Sequence, residues 1–346
     1  MSEAASGRSR TARTIGFCVT GAVCIGLTAL AVDRIDWREV ATAIVGSNVV
    51  WILITMGITA ASATLRALAW GVILRAAAPF PIRRRDVVSA MMIGILMSAT
   101  LPARLGELGR SVVLARRTGR MSESLPMIAG TCISQAILNI PALVILGVAT
   151  LVSTGLVQLS VERLFAVNLL PLIAISAILL ALLAVVKSHS PRLARWLAVV
   201  RDQVVRLREG LAVFRAPRSG VLAALTQLSS WGVQVLGCYA LFAAMNLDTH
   251  VGIGGAAAVL FAVNVSAVIP LTPSNIGIFQ LAAVSVLTTA FDISPSTALA
   301  YGVVLQAQGH VTAVLLGGSA LFVEGVTWSE ARTLTATAGL AGPERG

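Results

Sequence analysis

The chain of 346 residues is 57% hydrophobic and only 12% charged, with a mean hydropathy of +0.88, more apolar surface than a soluble domain could cover, so a multi-pass helical membrane protein is expected. Aromatic residues, at 5%, are too sparse for the girdles of an outer-membrane barrel. The net charge of +11 does not indicate nucleic acid, because the basic residues cluster between apolar stretches, where the positive-inside rule and anionic lipid place them.

A first span is expected at about 14–32, behind a cytoplasmic tail (1–13) holding Arg8, Arg10 and Arg13. It is longer than a usual signal-peptide core, so an uncleaved span is expected despite Ala29-Leu30-Ala31. Asp33, Arg34, Asp36, Arg38 and Glu39 form a charge-balanced outer loop. A second span, about 48–74, carries Arg66, and Arg75, Arg83, Arg84 and Arg85 mark the cytoplasmic side. The next apolar stretch, 87–101, is followed by Arg104, Arg110, Arg116, Arg117 and Arg120, all of which would be external if it crossed. A re-entrant hairpin near 87–115 keeps both clusters inside. Spans at about 125–153 and 165–186 complete a first membrane half, 14–186.

Residues 187–218 hold eight basic and two acidic residues. Leu193, Trp196, Leu197, Val200, Val204, Leu207, Leu211 and Phe214 recur there at threes and fours, the pattern of an amphipathic helix on anionic lipid. A second half, 219–323, opens with a span at about 220–245. A second hairpin near 252–290 follows, and a span at about 296–323 precedes a short tail, 324–346. With both termini cytoplasmic, this hairpin enters from outside and the first from inside, so the halves are inverted.

Each hairpin is interrupted by Pro-x-x-x-Gly: Pro102 and Gly106 in the first, Pro273 and Gly277 in the second, with Pro270 just ahead. Proline removes a backbone donor and glycine permits a left-handed turn, so one helix ends and another begins. Unwound backbone at membrane depth survives only where protein or a water-filled cavity covers it, and matching breaks in two halves point to a carrier's binding site. The new helix's free N–H groups favour an anion, and Arg104 and Arg110 add formal charge beside the first break. Glu107 lies three residues from each, so it can pair with either. One reading has a phosphate-bearing headgroup displacing such a pairing; the other has the arginines snorkelling to the interface as anchors. The second break offers only neutral groups: Thr272, Ser274, Asn275 and Gln280. These either meet a substrate or satisfy the broken helix's own backbone.

Arg66 is a further candidate, and Gln135 with Asn139, and Gln306 with His310, form weaker pairs four residues apart. Helix–helix hydrogen bonding explains either pair equally simply. Cys18, Cys24, Cys132 and Cys238 lie in apolar stretches without CxxC spacing, and His189, His250 and His310 are isolated, so no metal and no cofactor is implied. No catalytic constellation is present, and an enzyme is not expected.

The string Leu101-Pro102-x-Arg104-x-Gly106-Glu107-x-x-Arg110 resembles the first signature of the lysylphosphatidylglycerol synthase transmembrane (flippase-like) family. Pro270-x-x-Pro273-x-x-x-Gly277-x-Phe279-Gln280 resembles the second, and Arg66 followed by Trp70 matches a further feature. The resemblance spans about 50–320 and implies handling or movement of a lipid with a polar headgroup. No aminoacyl-transferase domain follows, so a free-standing member is expected. The chain has Ser274-Asn275 where the family often has Gly-Gly, and Gln280 where it has Glu. It has Ser134-Gln135 and Asn139 where Glu-Arg and Asp are frequent. With these acidic positions neutral, an anionic or neutral headgroup is expected over a cationic one.

The expected fold is therefore all-α: a polytopic membrane helical bundle of about eight elements with an inverted internal repeat and two re-entrant hairpins. The expected function is a lipid translocase of the bacterial cytoplasmic membrane, acting on a phospholipid or polyprenyl phosphate. Membrane lipids are substrate and solvent, a lipid-processing enzyme is a candidate partner, an oligomer stays open, and no nucleic acid is expected. The alternative is a non-transporting partner that presents a lipid to a separate glycosyltransferase or synthase. A third reading, an intramembrane transferase acting on a lipid phosphate, lacks a paired acidic metal site.

Overall fold

Long apolar runs broken by capping residues fold here into an all-α membrane bundle, seen in a computed structural model that describes residues 35–100, 105–154, 210–267 and 275–324. The expected spans at 14–32 and 165–186, most of the amphipathic segment 187–218 and the tails lie outside the described residues. The helices are α1 (Trp37–Val45), α2 (Val49–Ala77), α3 (Arg84–Thr100), α4 (Leu105–Arg117) and α5 (Met121–Ser153). They continue as α6 (Pro217–Ala244), α7 (Asp248–Ser266), α8 (Ile278–Phe291) and α9 (Pro295–Glu324), and no strand occurs among the described residues.

Five of these helices (α2, α5, α6, α7 and α9) are long and apolar enough to cross a membrane. At 1.5 Å per residue, α3, α4 and α8 reach only about 26, 20 and 21 Å, short of a hydrocarbon core of about 30 Å. α7, with 19 residues, reaches about 28 Å. The outward faces are apolar: Val144, Val148 and Val152 on α5, Val221, Leu222 and Leu225 on α6, and Phe322 on α9 are exposed. A contiguous apolar surface of that kind belongs against lipid.

Inside, small residues let the helices approach closely, as lipid-embedded packing requires. Ala67, Ala90, Ala223, Ala256, Ala258, Ala283 and Ala298 are fully buried. α2 and α6 form the most extensive helix pair, α3 packs on α4, and α7 packs on α8. α9 touches both short pairs, meeting α3 on one side and α8 on the other. The ring of Tyr301 stacks on Phe242 with centroids 4.3 Å apart, and its hydroxyl donates to the Cys238 carbonyl at 2.9 Å.

The α3–α4 contact is close. A Cβ on Gly94 would stand 2.8 Å from Arg110 Cβ and 2.9 Å from the Gly106 carbonyl oxygen. A Cβ on Gly106 would meet Ser98 N at 2.7 Å. At the second break Gly277 takes φ 88°, and its N–H donates to Gln280 Oε1 at 2.7 Å, so the first turn of α8 is capped from within.

Outside the spans, α1 is tied to the start of α9. The Asp36 N–H donates to Ser296 Oγ at 3.0 Å, and Glu39 Oε1 accepts from Ser294 Oγ and, at 2.9 Å, from Thr297 Oγ1. Those hydrogen bonds, Ser294 first, hold the Glu39 carboxyl below its ordinary range against a smaller opposing effect of burial. A carboxylate depressed in the folded state adds stability above its unfolded pKa and loses it as pH falls through the folded value. Amide-exchange protection of α1 is therefore expected to fall only below the ordinary glutamate range, and Glu39→Gln should abolish that dependence.

Candidate functional site

Arg110 enters the bundle from α4 and is 7% exposed. Its Nη1 donates to Gln135 Oε1 at 2.7 Å and approaches Met91 Sδ at 3.3 Å, while Cζ sits 4.8 Å from the Trp70 ring centre. Trp70 is held by its indole N–H, which donates to Thr131 Oγ1 at 2.9 Å. Because Arg110 occupies the oxygen of Gln135, the amide nitrogen points away. It donates to the Arg66 carbonyl at 3.0 Å and to Gln227 Oε1 at 3.1 Å. Gln227 in turn donates to Asn139 Oδ1 at 2.6 Å, and Trp231 Nε1 donates to that same oxygen at 2.9 Å. A one-way chain of hydrogen bonds thus runs from α4 through α5 to α6 and back to Asn139 on α5. Arg66, half-buried on α2, lies with Cζ 5.7 Å from the Trp231 ring centre.

Two guanidinium groups therefore share one interior with neutral partners and indole faces. Arg110 makes no ion pair among the described residues, and its Nε is buried without a hydrogen-bond partner. Glu107, one turn away on α4, is exposed. A buried cation costs several kcal/mol without a counter-charge, whereas a cation–π contact restores only about 0.5–2 kcal/mol.

A second feature lies beside it. A cavity of about 320 Å³ is lined by Thr59, Ser98, Gln234, Asn264, Gln308 and His310, among others, with Asn275 and Gln306 also on its wall. Ala99 brings the end of α3 to this wall, and Ala267 and Asn275 bring both sides of the second break. Asn275 takes φ 55°, and its Oδ1 is buried without a hydrogen-bond partner among the described residues. His310 Nδ1 is 2.8 Å from the Gln306 carbonyl oxygen and Gln280 Nε2 donates to Gln306 Oε1, while Gln308 Oε1 accepts weakly from Thr59 Oγ1 at 3.4 Å.

Of the residues singled out from sequence, Arg66, Arg110, Gln135 and Asn139 meet in the first cluster, and Asn275, Gln306 and His310 line the cavity, with Gln280 bonded to Gln306. Gly106 closes the α3–α4 contact and Gly277 starts α8. Pro102, Arg104, Pro270, Thr272, Pro273 and Ser274 lie outside the described residues. Sequence reasoning missed Trp231, Gln227, Gln234, Thr59, Ser98, Asn264 and Gln308. A signal existed: Gln227, Trp231 and Gln234, like Thr59, Ser62 and Arg66, recur at threes and fours within apolar helices, placing each set on one face.

Comparison of the chain with curated proteins and with solved structures finds no match. A family model described as the lysylphosphatidylglycerol synthase TM region matches residues 15–317, most of the chain and nearly all of its apolar part. With five helices fit to cross a bilayer and a polar cluster buried among them, the protein belongs to the lysylphosphatidylglycerol synthase TM region family of multi-pass membrane proteins.

Proposed function

We propose that this protein is a flippase-like lipid translocase of the bacterial cytoplasmic membrane, carrying a lipid whose headgroup bears a phosphate. The observation that carries this reading is Arg110, buried with one guanidinium N–H unpartnered and no ion pair among the described residues. A phosphate oxygen would complete its hydrogen bonds and neutralise it, and arginine's planar fork suits phosphate better than any other cation. The short helices α3, α4 and α8 and the two breaks support re-entrant hairpins from inverted halves, with both termini cytoplasmic. Acyl or prenyl chains would stay in lipid while the headgroup crosses between the breaks. The membrane lipids themselves are then the partners, and no catalytic step is assigned.

The test is reconstitution of the pure protein in liposomes with headgroup-labelled phosphatidylglycerol, polyprenyl phosphate or phosphatidylcholine and a quencher outside. Faster exposure of at least one anionic lipid than of phosphatidylcholine is expected. No movement of either anionic lipid by folded protein would overturn the carrier reading in favour of lipid presentation to a separate enzyme.

A further inference from the structure

We propose that protons drive this carrier: the imidazole of His310 takes up one proton for each anionic lipid that binds, and the two cross together. This rests on the carrier reading above and gives it an energy source.

His310 sits midway along α9, a helix of 30 residues, on the wall of the cavity of about 320 Å³. An ionisable side chain at the middle of a membrane span is costly, and where it occurs it faces a wet cavity or a partner and marks an ion or proton path. Its Nδ1 lies 2.8 Å from the Gln306 carbonyl oxygen, which can only accept, so Nδ1 carries the hydrogen. The lone pair of the neutral ring is therefore on Nε2, and that atom takes the proton from water. The ring gains one positive charge and no bond in the protein is broken.

The described wall holds nothing that would neutralise that cation. Among the described residues lining the cavity there is no Asp, Glu, Lys or Arg, and the one other titratable group is the Cys238 thiol on α6. α9 packs on α1, α2, α3, α6 and α8. Arg38 and Glu39 of α1, Arg66 and Arg75 of α2, Arg84, Arg85 and Asp86 of α3 and Arg218 of α6 all stand off the wall, and α8 has no charged residue. α7, which also lines the cavity, holds Asp248 and His250 in its first turn, away from the wall.

The counter-charge arrives with the lipid. On α3, Gly94 abuts Arg110, and Ser98, one turn on, lines the cavity. One helical turn plus the width of the cavity puts a phosphate on Arg110 roughly 10–15 Å from the imidazole. Opposite unit charges at that separation, with an effective permittivity of about 20, favour each other about 10-fold. By linkage, the proton tightens lipid binding by the same factor as the lipid tightens proton binding. Without the lipid, Arg66, Arg110 and an imidazolium would share one interior that holds no buried carboxylate among the described residues, so the empty carrier returns without the proton. A singly charged lipid and one proton then cross with no net charge moved.

The experiment reconstitutes the protein in liposomes with a trace of headgroup-labelled phosphatidylglycerol and imposes either a pH gradient or, with potassium and valinomycin, a membrane potential. Quenching from outside reads the leaflet distribution, and protein-free liposomes set the baseline. Wild-type protein should gather the lipid in the leaflet facing the alkaline side about 10-fold per pH unit, the ratio that one proton per lipid gives, and should ignore the potential. His310→Gln keeps a polar side chain that cannot titrate, and its lipid should not follow the gradient. Binding in nanodiscs needs no turnover: wild-type protein should hold phosphatidylglycerol about 10-fold more tightly below the titration of the imidazole than above it, and His310→Gln and His310→Asn should show no such preference. Lipid moved by wild-type protein without regard to the pH gradient, or following the potential instead, overturns the proton pairing and leaves the carrier standing. Accumulation or acid-tightened binding that persists in either variant overturns the assignment to His310. No lipid movement by folded wild-type protein overturns the carrier reading itself.

Discussion

Arg110→Met is expected to cut transport of phosphate-bearing lipids roughly 10- to 100-fold, the worth of a charged hydrogen bond at about 1.5–3 kcal/mol, while leaving thermal stability unchanged or higher. The two effects separate because Arg110 contributes little net stability to the empty protein. Methionine is of similar length, and it enters a site walled by Met91 and Trp70. The substitution strands Gln135 Oε1, costing about 1–3 kcal/mol, and removes the stacking on Trp70, worth about 0.5–2 kcal/mol. Against this it removes a buried charge whose desolvation costs several kcal/mol. Liposome flux and a detergent melting curve on the same preparation check both halves. Early melting together with lost flux would make Arg110 a structural residue. Arg110→Lys keeps the charge but not the planar fork or the stacking, so flux should fall there too.

That charge balance also marks the limit of what the sequence could show. The apolar spans were legible because a bilayer imposes length and composition directly: the expected 48–74, 125–153, 220–245 and 296–323 correspond to α2, α5, α6 and α9 within a few residues. Gly106 and Gly277 stood out because few other residues make such a break. The partner of Arg110 was not legible. Sequence spacing offered Glu107, three residues away, but the structure leaves Glu107 exposed and joins Arg110 to Gln135 across a helix interface. Spacing along one helix specifies neighbours on its surface, whereas partners across helices are set by which faces meet. The neutral cavity was hidden for the same reason. Thr59, Ser98, Gln234, Asn264 and Gln308 sit on five helices, and each alone looks like an ordinary polar residue in an apolar span. Only assembly of α2, α3, α6, α7 and α9 makes them one wall.

Gly106→Ala is expected to destabilise the α3–α4 pair by about 1–3 kcal/mol, as overpacking of a tight contact does, and to disable transport with it. The added Cβ would meet the Ser98 side chain and, at 2.7 Å, its backbone nitrogen. Backbone cannot step aside as a flexible side chain can, so α4 must move away from α3. Arg110 lies one turn beyond Gly106 on the same helix and would move with it, away from Gln135 and Trp70. Ser98, which lines the cavity, is struck from the other side. One methyl group therefore disturbs the cation and the amide wall together, a coupling that neither Arg110→Met nor His310→Gln produces. Melting of the purified variant, with lipid binding measured below that temperature, checks the claim. A Gly106→Ala protein as stable as wild type would mean that α3 and α4 are not in the close contact on which both halves of the site depend.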